Sequence, residues 1–418
     1  MQTITPPPVD APAGKPALGQ VEFIALIAML FATIAFSIDA MLPALPQIAQ
    51  DLSPDAPNRA QLILTSFVMG MGLGTLFAGP LSDSYGRRTV IVGGAVLYCA
   101  GALIAYVAPT LEAVLAARLL QGLGAAGPRV VSLALVRDVH KGRQMARVVS
   151  FAMMIFTLVP AIAPLMGSGI IAAFGWRGIF LAFVVFAGVS VIWLLARQPE
   201  TLPPEARRPF RAAPLAQAFR EVLSHRVIRL SIVAQTLAFA CLFGTLSSTQ
   251  PIFDETFGRA NSFPLYFALI AVVAGTSSLL NASLVVRLGM RRMVTSTFAV
   301  QAVFSTAIAL GTALGLWPAA LAFPVYLIWT IGVFFMAGMT LGNLNALGLE
   351  PVGHIAGMAA SVIGSVATVA SVLLAVPVGL MFNGTPVPLM VSVAVFASLG
   401  YVIMRRITPQ PDGLSSPE

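Results

Sequence analysis

Three ionisable residues stand where the surrounding sequence is apolar. Asp39 lies near the end of the first long apolar run, residues 22–42, and Arg118 and Arg129 lie inside the fourth, residues 111–136. Charged groups at such depth are costly in lipid, so they face a water-filled cavity or a partner and commonly handle protons or charged cargo. Asp39 stands 17 residues above the start of its run, about 25 Å at 1.5 Å per residue, in the outer part of the membrane. Arg118 lies seven residues into the fourth run from that outer side, about 10 Å deep. The two depths are comparable, and an Asp39–Arg118 pair is expected to couple proton binding to a change of state. The alternatives are a helix-end acid at the outer mouth and a structural arginine that bonds backbone carbonyls.

Arg129 follows Arg118 by eleven residues, and eleven steps of 100° return to within about 20° on a helix. Both arginines therefore share a face with Gly122, Ala125 and Ser132, which is expected to line a cavity. The other reading has Arg129 snorkelling to the inner headgroups. Glu22, Glu112 and Glu350 lie near run ends. One acid facing two arginines makes a neutral to positive interior that favours neutral or anionic substrates over lipophilic cations. Asp39, Arg118, Arg129, Phe36, Gln235, Asn281 and Asn343 are the candidate substrate-binding residues, with Asn345 beside them; hydrogen bonds between helices explain the amides equally well. Aromatic residues along the spans, Phe36, Phe239 and Trp329 among them, are expected mostly in packing or against lipid, with only some lining the cavity.

The elements that must position these residues follow from composition. Of 418 residues, 58% are hydrophobic and 10% charged, and the mean hydropathy is +0.90. Such a chain belongs in a bilayer, where about 20 residues of helix cross the hydrocarbon. Apolar runs at 22–42, 61–81, 89–108, 111–136, 148–172 and 177–196 are followed by runs at 226–250, 263–286, 293–314, 320–347, 357–381 and 387–404. The expectation is an all-α membrane protein of twelve transmembrane helices in two pseudo-symmetric six-helix bundles, spanning 22–196 and 226–404. Residues 1–21 and 405–418 are expected as cytoplasmic tails, the first disordered and without the features of a signal peptide, and 197–225 as a cytoplasmic linker. Of the 24 Lys and Arg residues, nineteen fall on the side of the termini and linker, against three (Arg59, Arg177, Arg259) on the other. That asymmetry predicts both termini in the cytoplasm. The net charge of +8 is topological, not a nucleic-acid footprint. Cys99 and Cys241 lack any disulfide or metal context.

A faint repeat joins the halves. Gly79-Pro-Leu-Ser-Asp83-Ser-Tyr-Gly86-Arg87-Arg88 is answered 203 residues later by Ala282 to Arg292, with Gly289 at the place of Gly86 and Val286 at that of Asp83. The first copy resembles the G-x-L-x-D-x-x-G-R-R/K loop signature of the major facilitator superfamily. Arg118-Leu-Leu-Gln121-Gly122-Leu-Gly124 is similar to its R-x-x-Q-G-x-G motif, and Pro160-Ala-Ile-Ala-Pro164-Leu-Met-Gly167 to the fifth-span motif of its antiporters. Asp39-Ala-Met-Leu-Pro43-Ala-Leu-Pro46 and His354-Ile-Ala-Gly357-Met-Ala-Ala-Ser361 resemble stretches of the Bcr/CflA drug-efflux subfamily, with Met41 where that subfamily usually has Tyr.

This resemblance implies a proton-coupled secondary transporter that exports drugs or drug-like molecules by alternating access, with a metabolite exporter or importer of the same fold as the alternative. Asp83, Gly86, Arg87, Arg88, Pro160, Pro164 and Gly167 are gating candidates: Asp83 caps a helix or pairs with a base, and the prolines and glycines of the fifth span, Gly169 included, let helices approach closely. Glu350 and His354, four apart before the eleventh span, read as a loop pair or a pH sensor. The three histidines lie in or beside loops, and no phosphate-binding loop is present; an enzyme is not expected. No cofactor and no metal are expected, the proton being the coupling ion. The expected partners are a small-molecule substrate, protons and lipid, with no nucleic acid, and the chain is expected as a monomer in the bacterial inner membrane.

Overall fold

A computed structural model describes residues 18–207 and 209–407; the expected tails at 1–17 and 408–418 lie outside the described residues. Among the described residues fourteen α-helices follow one another. In the first half they are α1 (Gln20–Asp39), α2 (Leu45–Leu52), α3 (Leu62–Tyr85), α4 (Arg87–Val107), α5 (Leu111–Val139), α6 (Gly142–Phe174) and α7 (Gly178–Arg197). After α8 (Ala212–Ser224) the second half has α9 (Arg226–Pro251), α10 (Phe263–Leu288), α11 (Met290–Ala313), α12 (Ala319–Leu349), α13 (Ala356–Leu380) and α14 (Val387–Arg405). Eleven continuous helical stretches are long and apolar enough to cross a membrane. The longest, 319–380, holds two spans, because the backbone leaves helical geometry at Val352 (φ −128°, ψ 37°) and separates α12 from α13. With α2 a short continuation of the first span and α8 a linker helix, the spans number twelve. They match the apolar runs closely; the largest shift is α6, which begins at Gly142 rather than 148.

The two halves repeat one packing plan. In the first, α3 and α4 both pack on α5, α1 on α6, and α4 on α7; in the second, α10 and α11 pack on α12, α9 on α13, and α11 on α14. The halves meet along α3 with α13 and along α6 with α10, each the counterpart of the other under a two-fold exchange. The repeat extends to the turns after α3 and α10. Gly86 (φ 98°) and Gly289 (φ 77°) both take a left-handed conformation that closes one helix and opens the next without a Cβ clash.

Both ends of the described chain, the linker and the basic turns share one face of the bundle, here called the linker face. There Arg197 holds Glu22 through Nε (2.7 Å) and Nη2 (2.8 Å), with Trp193 Nε1 donating to the same carboxylate at 3.2 Å, so the start of α1 is fixed to the end of α7. The linker is less irregular than the sequence suggests: α8 lies on α13 and α9. His354 pairs with Glu221 of α8 at 2.8 Å and not with Glu350, correcting the expected i, i+4 loop pair. The α12–α13 connection is a 3₁₀ segment broken at Val352, so helical spacing does not apply across it.

At the far face the halves are bonded together. Asn58 Nδ2 donates to the carbonyls of Phe382 (2.7 Å) and Leu380 (3.3 Å), and Ser248 Oγ donates to Gln61 Oε1 at 3.1 Å. Gly379 allows this approach, since a Cβ there would lie 2.7 Å from Gln61 Oε1.

Candidate functional site

Between the halves lies a cavity of about 900 Å³. Its lining includes Asp83, Arg87, Arg137 and Asp138 at the linker-face ends of α3, α4 and α5, and the Asn58 and Gln61 contacts bar the opposite end, so the cavity opens to the linker face. The wall contributed by α9 to α13 holds no charged residue: it is aromatic and aliphatic, with Gln235, Asn345 and small hydroxyls as its polar groups. Phe239 and Phe243 on α9 stack at 5.4 Å and 11° within this wall.

Asp39 ends α1 at the closed part of the cavity and is 5% exposed. Among the described residues no ion pair reaches its carboxylate. The position depends on a close crossing: a Cβ on Gly167 would stand 2.2 Å from the Ala40 carbonyl oxygen, so only glycine lets α6 pack against the chain next to Asp39. Pro160, also on α6, faces the cavity. Gly169, by contrast, has open space around it and plays no part in the crossing.

Arg118 is level with Asp39 but is not its partner. The guanidinium is fully buried, donating to Gln121 Oε1 (2.7 Å), the Ser37 carbonyl (3.0 Å) and the Ile63 carbonyl (3.3 Å), and lies 4.3 Å from the Phe67 ring centroid. The expected Asp39–Arg118 pair is therefore absent in this conformation. The physical reason is that two backbone carbonyls and an amide already satisfy the arginine, away from the cavity. Ser37 joins the same network: its hydroxyl bonds Tyr98 of α4 and donates to the Thr33 carbonyl at 2.6 Å. Arg118 thus locks α1, α3 and α5 together, two residues before Asp39.

The shared face of Arg118 and Arg129 divides by depth. Gly122 packs so tightly that a Cβ would lie 2.0 Å from the Phe67 carbonyl oxygen, and Ser132 is fully buried. Only Arg129 of that pair reaches the cavity, where its Nη1 contacts Met71 Sδ at 3.5 Å; with Arg118 buried elsewhere and acids and arginines equal in number along the lining, the expected positive excess, and with it the bias to neutral or anionic cargo, is corrected. Three further candidates are corrected. Phe36 lies off the cavity, against Phe186 (5.1 Å, stacked) and Phe183 (5.5 Å, edge-on) of α7. Asn343 Nδ2 donates to Asn281 Oδ1 at 2.7 Å, so these two amides bridge α12 and α10 and are spent on helix packing. Gln235 does line the cavity, with Oε1 buried and without a hydrogen-bond partner. Trp329 is a packing residue, fully buried and donating to Ser305 Oγ at 3.0 Å.

The turn after α3 is a charged clasp. Arg87 pairs with Asp83 through Nη1, donates to Ser82 Oγ at 2.8 Å, and reaches Asp138 of α5 through Nε at 3.0 Å. Asp83 thus pairs with a base, while the cap at the start of α4 comes from Glu200 of the linker. Its two oxygens accept the backbone N–H groups of Arg87 (2.9 Å) and Arg88 (3.0 Å), an anion placed at a helix N-terminus. Arg88 Nη2 donates to the Leu195 carbonyl at 2.8 Å. Sequence reasoning missed Glu200 and Asp138; the available signal was an acid three residues past α7 in a basic linker.

Residues 25–375 match the family model described as Major Facilitator Superfamily. The Bicyclomycin resistance protein homolog of Haemophilus influenzae is 30% identical over 377 residues, covering 88% of this chain and 91% of that protein. Multidrug resistance protein MdtL of Escherichia coli K12 is 30% identical over 332 residues, covering 78% of this chain and 80% of its own length. Among solved structures, a D-xylose-proton symporter superposes with a TM-score of 0.75 at 16% identity, covering 93% of this chain and 98% of that one. The human organic anion transporter MFSD10 gives 0.66 at 17% identity, covering 93% and 100%. These structural likenesses concern the fold alone.

Proposed function

The chain belongs to the major facilitator superfamily, and on that footing we propose that it is a proton-coupled exporter of drugs or drug-like small molecules. The observation that carries this reading is the lone carboxylate of Asp39, without an ion-pair partner among the described residues and set at the closed end of a large apolar cavity open to one face. A carboxylate so placed gains or loses a proton, or meets a cationic group of the cargo, according to which side the cavity opens to. Relatives named for bicyclomycin and multidrug resistance support the export of drugs.

The basic linker face is cytoplasmic in this reading, by the excess of Lys and Arg there, and the membrane is the bacterial inner membrane. Alternating access proceeds by rocking the halves along the α3–α13 and α6–α10 contacts: the far-face bonds of Asn58 and Gln61 open as the linker-face mouth closes. Gly86, Arg87, Arg88 and Asp83 set the linker-face gate. Protons moving inward supply about 2.3 kcal/mol per charge for each 100 mV, so no nucleotide is needed. The test is purified protein in proteoliposomes with an imposed pH gradient. Addition of a transported compound should release protons across the membrane in proportion to cargo moved; cargo movement indifferent to the gradient would refute proton coupling.

A further inference from the structure

The cavity holds an acidic and a basic group that do not meet. Asp39 and Arg129 both line it, yet no ion pair joins them. A guanidinium carries five N–H donors. The acceptor Arg129 finds among the described residues is the Met71 thioether at 3.5 Å, a weak one. The other charged lining residues, Asp83, Arg87, Arg137 and Asp138, stand at the linker-face mouth, where Arg87 binds both acids.

The separation of the two charges follows from the helix register. Arg118 donates to the carbonyls of Ser37 and Ile63 and so brings them level. Met71 is eight residues beyond Ile63 toward the linker face, which places the Arg129 guanidinium about 12 Å of helix rise below that level, with Asp39 just above it. Facing the interval is the uncharged second half, with the stacked Phe239 and Phe243.

From this geometry we propose that the cavity selects zwitterionic, amphipathic cargo: a cationic group on Asp39, an anionic group on Arg129, and an apolar, preferably aromatic, body against Phe239 and Phe243. The inference rests on the transport reading and names its substrate class. A purely cationic molecule leaves Arg129 uncompensated beside a like charge, and an anionic one leaves Asp39 so; uncompensated charge in a poorly solvated site weakens binding. A zwitterion satisfies both. Its cationic end also occupies the carboxylate that a proton would take, which makes cargo and proton mutually exclusive, as exchange requires.

The test is binding of four compounds to the purified full-length chain: 4′-(aminomethyl)biphenyl-4-carboxylate, its methyl ester (a cation), its N-acetyl derivative (an anion) and the doubly masked neutral form. The zwitterion should bind at least about tenfold more tightly than either singly charged form, the scale of one charge-assisted contact. Arg129→Gln should weaken the zwitterion and the anion and spare the cation; Asp39→Asn should weaken the zwitterion and the cation and spare the anion. Equal affinities across the series, no binding of any member, or a preference unchanged in both variants would overturn the proposal. The wild-type series decides it even if a variant fails to fold. Binding is read without a gradient, so charge-selective binding with no gradient-driven export would sink the export reading alone.

Discussion

The two halves share a frame and differ in chemistry. At the turn after α3, Asp83 and Arg87 form an ion pair backed by Asp138 and capped by Glu200. At the matching turn after α10, the same glycine geometry recurs, but Val286 and Met290 stand where Asp83 and Arg87 would. The eighth residue of α5 is Arg118, satisfied by three acceptors; the eighth of α12 is Tyr326, buried and uncharged, with the hydroxyls of Thr249 and Thr330 beside its own. In the cavity, every charged lining residue belongs to the first half. The backbone plan survives where packing demands it, while ionisable groups are concentrated on one side. The first half gives the cavity its ionisable lining, and the second an uncharged wall.

The largest expected difference is at the paired positions in α5 and α12. Arg118→Leu strips the donor from the Ser37 carbonyl, one of the last of α1, and from the buried Gln121 Oε1, and should cost about 3 kcal/mol or more, from roughly 1 to 3 for each group left unsatisfied. The measurement is the loss of melting temperature of the purified protein. Tyr326→Phe removes only neutral hydroxyl contacts with Thr249 and Thr330 and should cost no more than about 1 kcal/mol. Comparable losses at both sites would erase the asymmetry.

A middle-sized difference is expected at the two turn glycines. Gly86→Ala incurs strain of about 1–3 kcal/mol from its left-handed backbone, and its Cβ would stand 2.6 Å from Glu200 Oε2, displacing the cap on α4. Gly289→Ala has the same class of strain and open space around it. Melting should therefore fall further for Gly86→Ala, and a background of Glu200→Gln should narrow the gap. The smallest effect sharpens the same contrast. Val286 is 88% exposed and Met290 half-buried against the core, so Val286→Asp with Met290→Arg builds an ion pair worth at most about 1 kcal/mol, offset by the packing Met290 loses. A larger gain in melting temperature, persisting in high salt, would mean that the second turn is more enclosed than its exposure indicates.

The sequence was most legible where hydrophobicity alone decides. All twelve spans follow from apolar runs, and the turn glycines from their repeat. Within the site, Asp39, Gln235 and Arg129 could be singled out as polar residues in apolar surroundings, and all three line the cavity. Helical periodicity assigns residues to a face but not to a neighbour. The face carrying Arg118 and Arg129 meets α3 backbone at one depth and open cavity at another, so their shared angle did not give a shared environment. Asn281 and Asn343 satisfy one another across 62 residues of sequence, a pairing no local pattern encodes. Phe36 looked like a cargo aromatic, yet its ring is absorbed by Phe183 and Phe186 on α7. Glu200 was hard to read for a different reason: an acid stands out in the basic linker, but the backbone N–H groups it accepts from, those of Arg87 and Arg88, lie 113 and 112 residues away.

The central claim is that charge coupling resides in the first half, at Asp39. The most direct test compares wild type with Asp39→Asn in proteoliposomes, using pH-gradient-driven accumulation and cargo-for-cargo exchange without a gradient. The account predicts that the variant loses gradient-driven accumulation while exchange persists, since the fold and the rocking of the halves remain. Accumulation at the wild-type level in Asp39→Asn would contradict it.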